Sequence, residues 1–296
     1  MNGLGTIINA LAIVVAGGIG SIFRGKLRPS YQKITVEACG LIALVWGGMG
    51  LWDGLFTTEG ESMVQTKGML LVVFALLVGT MFGIALGLDK GLDRIGKVFR
   101  KMVQNSDRKE AEHRAQREAA AATATSSTTE GAPTPSKKRR SLQELPTYDL
   151  PSARSGDRFL DGFAISTLLV SVGTMLTHGA YADATGGDMT LLYVKIAVDF
   201  VLILLLSTVF GVSVSFSAVP LLVLRGGFTV LAMVTETFFT PALISQVGFV
   251  GSVMIVLVGF NLCFGKKLRV GNMLPALAVP IIYTWIVAIA TKMTEK

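Results

Sequence analysis

Eight apolar runs of about 20 residues divide this chain, and nearly all of its lysines and arginines fall between them. A helical run of that length spans a hydrocarbon core ~30 Å thick and satisfies its own backbone, which an irregular segment facing lipid cannot do. The chain is therefore expected to be all-α, a polytopic transmembrane helix bundle of about eight spans. Only 16% of its residues are charged and 51% are hydrophobic, whereas a soluble domain carries roughly 25% charge. The net charge of +7 would suit nucleic acid in a soluble protein. In a membrane protein it follows from the retention of Lys and Arg in cytoplasmic loops. No nucleic acid is expected as a partner, and the lipid bilayer is the first one that is.

The runs lie near 4–23, 36–55, 68–88, 160–179, 190–211, 214–235, 243–264 and 271–291. Arg24, Lys26, Arg28 and Lys33 follow the first run, 15 Lys and Arg lie in the 69 residues after the third, and Lys266, Lys267 and Arg269 follow the seventh. These 22 of 27 basic residues share one side when both termini are outside, which places the chain as multi-pass in a cell (plasma) membrane with its large linker cytoplasmic. Asp53, Glu59, Glu61, Asp183 and Asp188 then stand in the outer loops. The first run has no basic residues ahead of it, unlike a cleaved signal peptide, and is expected to remain in the mature chain.

This divides the chain into 1–103 with three spans, a linker over 104–157, and 158–296 with about five spans. Leu88, Leu92, Ile95, Val98, Phe99 and Met102 share a helical face opposite Lys and Arg, so the third span is expected to run on into an amphipathic surface helix. Beyond it, AAAATATSSTTEGAPTPSKKRR has no aromatics and no apolar period, and reads as disordered. Its run from Lys137 to Arg140 is either a topogenic, solubilising element or a contact for anionic headgroups.

The two membrane parts resemble each other. ALAIVVAGGIG at 10–20 aligns with VPLLVLRGGFT at 219–229, which pairs Gly17 and Gly18 with Gly226 and Gly227. Gly40, Gly48, Leu51 and Gly54 likewise fall on Gly251, Gly259, Leu262 and Gly265. The third span offers only Met69 and Leu70 against Met273 and Leu274. On the expected topology the two sets run in opposite directions, so this is an inverted three-span repeat with two spans between its halves. Such repeats let one central site open to either face by exchanging the conformations of the halves.

GTIINALAIVVAGGIGSIFRGKL near the start, GFAISTLLVSVGTM with KIAVDF in the middle, and GFNLCFGKKLRVGNMLPAL near the end resemble the bacterial membrane proteins grouped as domain of unknown function 554. The resemblance covers roughly 1–100 and 158–291 and leaves out the linker. It implies a multi-span bacterial inner-membrane protein and supplies no substrate or activity.

Candidate site residues are the polar groups inside the spans, because a charge near the bilayer centre costs at least ~2.5 kcal/mol and so needs a partner or a wet cavity. Lys195 and Asp199 lie four residues apart, on one helix face. They are either a neutralising ion pair or a coupling carboxylate whose lysine alternates between it and solute. Arg225 follows Pro220 and precedes Gly226 and Gly227, residues expected to break the helix there. Its guanidinium suits a carboxylate or phosphate, or ties helices together through Asp199 or Glu37. Asn9, Asn261 and Asn272 offer amides inside spans, for a solute or as interhelical hydrogen-bonding groups. Pro275 and Pro280 interrupt the last run.

Ala75, Gly79, Gly83, Gly87 and Gly91 form a small-residue stripe for close helix packing, within the chain or in a homodimer. Cys39 and Cys263 read as packing thiols. No phosphate loop, HExxH, GxSxG or Cys/His cluster occurs, so no enzyme activity, cofactor or metal is expected. The leading expectation is a secondary transporter or permease of a small, anionic solute, with a proton or cation as coupling partner. The alternative is a membrane scaffold or signalling component acting through the basic linker.

Overall fold

The computed structural model describes residues 3–24, 26–55, 66–105, 158–172, 181, 183, 190–234, 240–265 and 268–294. The linker with Lys137 to Arg140 and His113, most of the loop charges, and His178 lie outside the described residues. Among the described residues there are helices and no strand: α1 (Leu4–Ile22), α2 (Pro29–Leu55), α3 (Thr66–Leu86), α4 (88–105), α5 (Arg158–Ser171), α6 (Thr190–Phe210), α7 (Ala218–Val234), α8 (Pro241–Phe264) and α9 (Val279–Thr294). A 3₁₀ segment, Gly211–Ser217, joins α6 to α7, and a second, Val270–Ala278, leads into α9.

Local chemistry sets several of these boundaries. Thr240 Oγ1 accepts from the Leu243 amide at 3.3 Å and Pro241 takes the first helical position, which opens α8. Gly265, at φ 84°, closes it. Gly87, at φ 63°, separates α3 from α4, so the surface helix is a distinct element and not the continuation expected of the third span. Leu92 of α4 is buried and Phe99 stacks on Phe216, while Ile95, Val98 and Met102 are exposed.

Among the described residues, six apolar stretches are long enough to cross a membrane. One of them, Leu192–Ala232, has 41 residues, about 60 Å as continuous helix and twice the hydrocarbon thickness. It makes two passes, turning where Gly211 takes φ 79° against the Arg24 side chain. The basic end of the bundle brings together Arg24, Arg158, Gly211, Asp89 and Gly271. At the other end the Gly3 amide donates to the Asp183 carbonyl at 3.1 Å, and Tyr181 packs on Ala232 and Ile244. Arg158, at the start of α5, and Asp183 therefore lie at opposite ends.

The outer faces are apolar, as hydrocarbon requires: Leu77, Met81 and Phe82 of α3 are well exposed. Inside, α2 crosses α8 antiparallel through small residues. A Cβ on Gly40 would sit 2.6 Å from Cys263 Sγ, and one on Gly54 would sit 2.6 Å from the Phe249 ring. The stripe on α3 serves an internal contact, since Gly79 and Gly83 press on Ala276 and Asn272 of the second 3₁₀ segment.

Candidate functional site

Lys195 and Asp199 fall on the same face of α6, as their spacing requires, and the ammonium contacts the carboxylate directly. Both are sealed in the bundle, at 3% and 0% exposure. From α1, Asn9 Nδ2 donates to the second oxygen of Asp199 at 3.2 Å. Arg225 comes in from α7, 2% exposed, close enough to Asp199, Asp183 and Lys195 to interact electrostatically with each. Among the described residues, α1, α6, α7 and the chain at Asp183 thus bring two basic and two acidic side chains into one cluster.

The fourth member overturns an expectation. Asp183, expected to stand as a loop charge, is instead fully buried, accepting from the Gly5 and Thr6 amides at 2.9 Å each and from Thr6 Oγ1 at 2.8 Å. The reason is visible at α1, which has no side-chain cap of its own and no acidic residue in its first turn. Its free amides need an acceptor in an apolar setting, and a carboxylate there also meets the positive end of the helix dipole. An uncapped helix start inside an apolar sequence was the available signal, but it does not say which distant residue answers it.

Not every polar atom in this group is used. Nε and Nη2 of Arg225 and Oδ1 of Asn9 are buried without a hydrogen-bond partner. So are Thr167 Oγ1 and Ser171 Oγ, one turn apart on α5, and Ser215 Oγ, which packs against Gly17. The first 3₁₀ segment supplies further hydroxyls: Ser217 Oγ donates to the Val214 carbonyl at 2.7 Å, and Ser213 Oγ to that of Phe210 at 3.3 Å. The signal for these hydroxyls lies in GVSVSFS, which alternates serine with apolar residues in a way no lipid-facing helix needs.

The break expected at Pro220 is absent. Helix α7 runs unbroken through Pro220, Gly226 and Gly227, because Pro220 is its third residue and costs no intrahelical donor there. The irregularity lies just upstream, in Gly211–Ser217. The interruption expected near Pro275 is present, as the nine-residue 3₁₀ segment containing it.

Asn261 and Asn272 do not join Lys195, Asp199 and Arg225. Asn261 clamps the turn after α8, donating to the Leu268 carbonyl at 2.7 Å and accepting from its amide at 3.0 Å. Asn272 Oδ1 accepts from the Asp89 amide at 3.0 Å and so caps α4. Both belong to the basic end, where Asp161, Asn261, Leu268 and Gly271 line a cavity of about 30 Å³, room for roughly two waters. Glu37 pairs with Lys33 at 3.7 Å and not with Arg225.

The family model for a protein of unknown function, DUF554, matches residues 4–130 and 137–285. The chain is 21% identical over 283 residues to the "Uncharacterized membrane protein YdfK" of Bacillus subtilis (strain 168), covering 96% of each. It is 22% identical over 285 residues to the "Uncharacterized protein YqgA" of Escherichia coli (strain K12), covering 95% of this chain and 97% of that one. No solved structure matches.

Proposed function

The chain belongs to the DUF554 family, and from that premise and its fold as an integral membrane protein we propose that it is a secondary transporter or permease of a small anionic solute. Arg225 carries this reading: a guanidinium buried in the bundle with two unused donor nitrogens, which senses the same Asp199 that Asn9 holds, Asn9 having an unused amide oxygen of its own. Burying polar groups without partners is costly, and an intramembrane charge in that state fits a solute-binding role better than a structural one. Asp199 is the coupling group, taking up a proton or cation when Lys195 turns from it to the solute.

The two 3₁₀ segments, of seven and nine residues, support the same reading. Runs beyond three or four residues are uncommon and mark hinges, and discontinuous helices surround the sites of many transporters. An inverted repeat is part of the proposal. In its favour, Gly40 and Gly259, both repeat-matched positions, meet at the antiparallel α2–α8 crossing. Against it, Gly17 is pressed on Ser215 whereas Gly226 and Gly227 have nothing within 4 Å. The orientation goes with it: both termini outside, so that cysteines placed at Gly60 and Gly187 react with an impermeant thiol reagent in intact cells and one at Ser127 does not.

The test is a metabolite screen by thermal shift on the purified chain, followed by flux in proteoliposomes. Arg225→Met is expected to remove both solute stabilisation and flux, and Arg225→Lys to keep part of each. Wild-type flux in folded Arg225→Met protein would sink the reading.

A further inference from the structure

Helix α4 is pinned along its length to the basic end of the bundle. At its start Asn272 Oδ1 accepts from the Asp89 amide at 3.0 Å, and the Asp89 carboxylate lies over Gly271, where a Cβ would sit 2.4 Å from Oδ1. At mid-helix Leu92 is buried and Gly96 lets the backbone down onto α5, since a Cβ there would lie 2.9 Å from Leu160 Cδ2 and 3.1 Å from Phe163 Cδ1. Further on, Phe99 stacks on Phe216 with ring centroids 4.7 Å apart and tilts against Phe163 at 5.5 Å. Gly271 and Asn272 belong to the second 3₁₀ segment and Phe216 to the first. One surface helix thus touches both irregular segments.

Fixing that face fixes the others. Ile95, Val98 and Met102, three and four residues apart, share an exposed side. Lys90, Arg94, Lys97 and Lys101 keep the same period on the next side, all exposed and none in an ion pair among the described residues. Apolar and basic faces side by side are the build of a helix lying in a membrane interface, with its apolar side chains at the acyl boundary and its cations among anionic headgroups. Continuity names lipid as the cover: α4 follows α3 through Gly87, and the end of α3 still exposes Phe82, Ile84 and Leu86. Charge names the kind of lipid. Between 88 and 105 five Lys and Arg stand against Asp93 and a buried Asp89.

We propose that the outer faces of α4 dock on an anionic phospholipid leaflet, and that lipid bound there steadies both 3₁₀ segments through Phe216 and through Gly271 and Asn272. Lipid that holds Ile95, Val98 and Met102 at the acyl boundary also holds Phe99 on Phe216 and Asp89 on Asn272, because all five project from one short rigid helix. Zwitterionic lipid offers the same acyl boundary without the charge, so the basic face makes the effect selective for anionic headgroups. The lipid surface stands without the transport reading. An effect of lipid on solute passage rests on that reading, which makes the two segments hinges.

The experiment titrates the purified full chain in detergent with phosphatidylglycerol, with phosphatidylcholine of the same acyl chains, and with soluble glycerol phosphate. It reads thermal unfolding and the hydrogen exchange of peptides covering 211–217 and 270–278. Phosphatidylglycerol alone is expected to raise the unfolding temperature and to slow exchange in both segments. A basic side chain near an anionic surface contributes about fivefold to partitioning, so Lys97→Gln with Lys101→Gln should raise the phosphatidylglycerol needed for half the shift by about tenfold or more. Lys97→Arg with Lys101→Arg should leave it unchanged. An equal response to phosphatidylcholine, or a wild-type response in the Gln pair, would overturn the docking surface. So would a match by glycerol phosphate, which means a soluble-anion site, or a change of subunit number in the Gln pair, which means a second copy on this face. Phosphatidylglycerol binding with exchange unchanged in both segments overturns the coupling. The transport reading fails separately: lipid-dependent protection with no solute flux in proteoliposomes removes the transporter and leaves the lipid surface.

Discussion

Two polar regions of this bundle hold asparagines, and they treat them differently. At the basic end Asn261 uses both ends of its amide on Leu268, and Asn272 caps α4 through the Asp89 amide. Deeper in the bundle Asn9 uses only its nitrogen, and two nitrogens of Arg225 are idle. One region spends its side-chain groups on backbone that would otherwise lack partners, and the other keeps donors and an acceptor in reserve. Polarity inside a membrane span therefore does not by itself separate side chains consumed by backbone from those with hydrogen-bonding capacity left over.

The comparison is tested most severely at Asp199. Asp199→Asn strands Lys195 as a buried charge, an expected loss of about 3–5 kcal/mol in stability. Adding Lys195→Met should restore most of it. Gradient-driven accumulation in proteoliposomes is expected to stay lost in the double variant, and its recovery would reduce the pair to a structural tie like those of the basic end.

Next in size is a change in packing alone. Gly83→Ala puts a Cβ 1.7 Å from the Asn272 carbonyl oxygen, a clash with backbone expected to cost about 1–3 kcal/mol. Thermal unfolding should register it with no change in solute affinity per folded molecule. Altered affinity would couple the second 3₁₀ segment to the site.

Asn261→Ala leaves the Leu268 amide and carbonyl without partners, for a loss of about 1–3 kcal/mol. Flux per folded molecule should equal that of wild type. A selective loss of flux would place Asn261 in the functional machinery and blur the distinction between the two regions.

The smallest effect is expected at Gly226. A Cβ there meets nothing within 4 Å, so Gly226→Ala should stabilise α7 by about 0.5–1 kcal/mol, the helical difference between the two residues. Gly17→Ala, 2.1 Å from Ser215 Oγ, should destabilise. Equal responses at these two repeat-matched positions would strengthen the inverted repeat, and opposite ones would weaken it.

Much of this was legible in the order of residues. Hydrocarbon thickness sets a helix length, so the apolar runs marked the passes. The four-residue spacing of Lys195 and Asp199 put them on one face, and the small residues of α3 announced a close contact. These are short-range consequences, decided within a run or by the bilayer. Only the tertiary structure decided that Asp183 caps α1 from 177 residues away, that Asn261 and Asn272 are consumed by backbone, and that the irregular backbone precedes Pro220. A side chain's role in a low-dielectric interior depends on whether its donors and acceptors are satisfied. Satisfaction is a property of neighbours that only folding brings together.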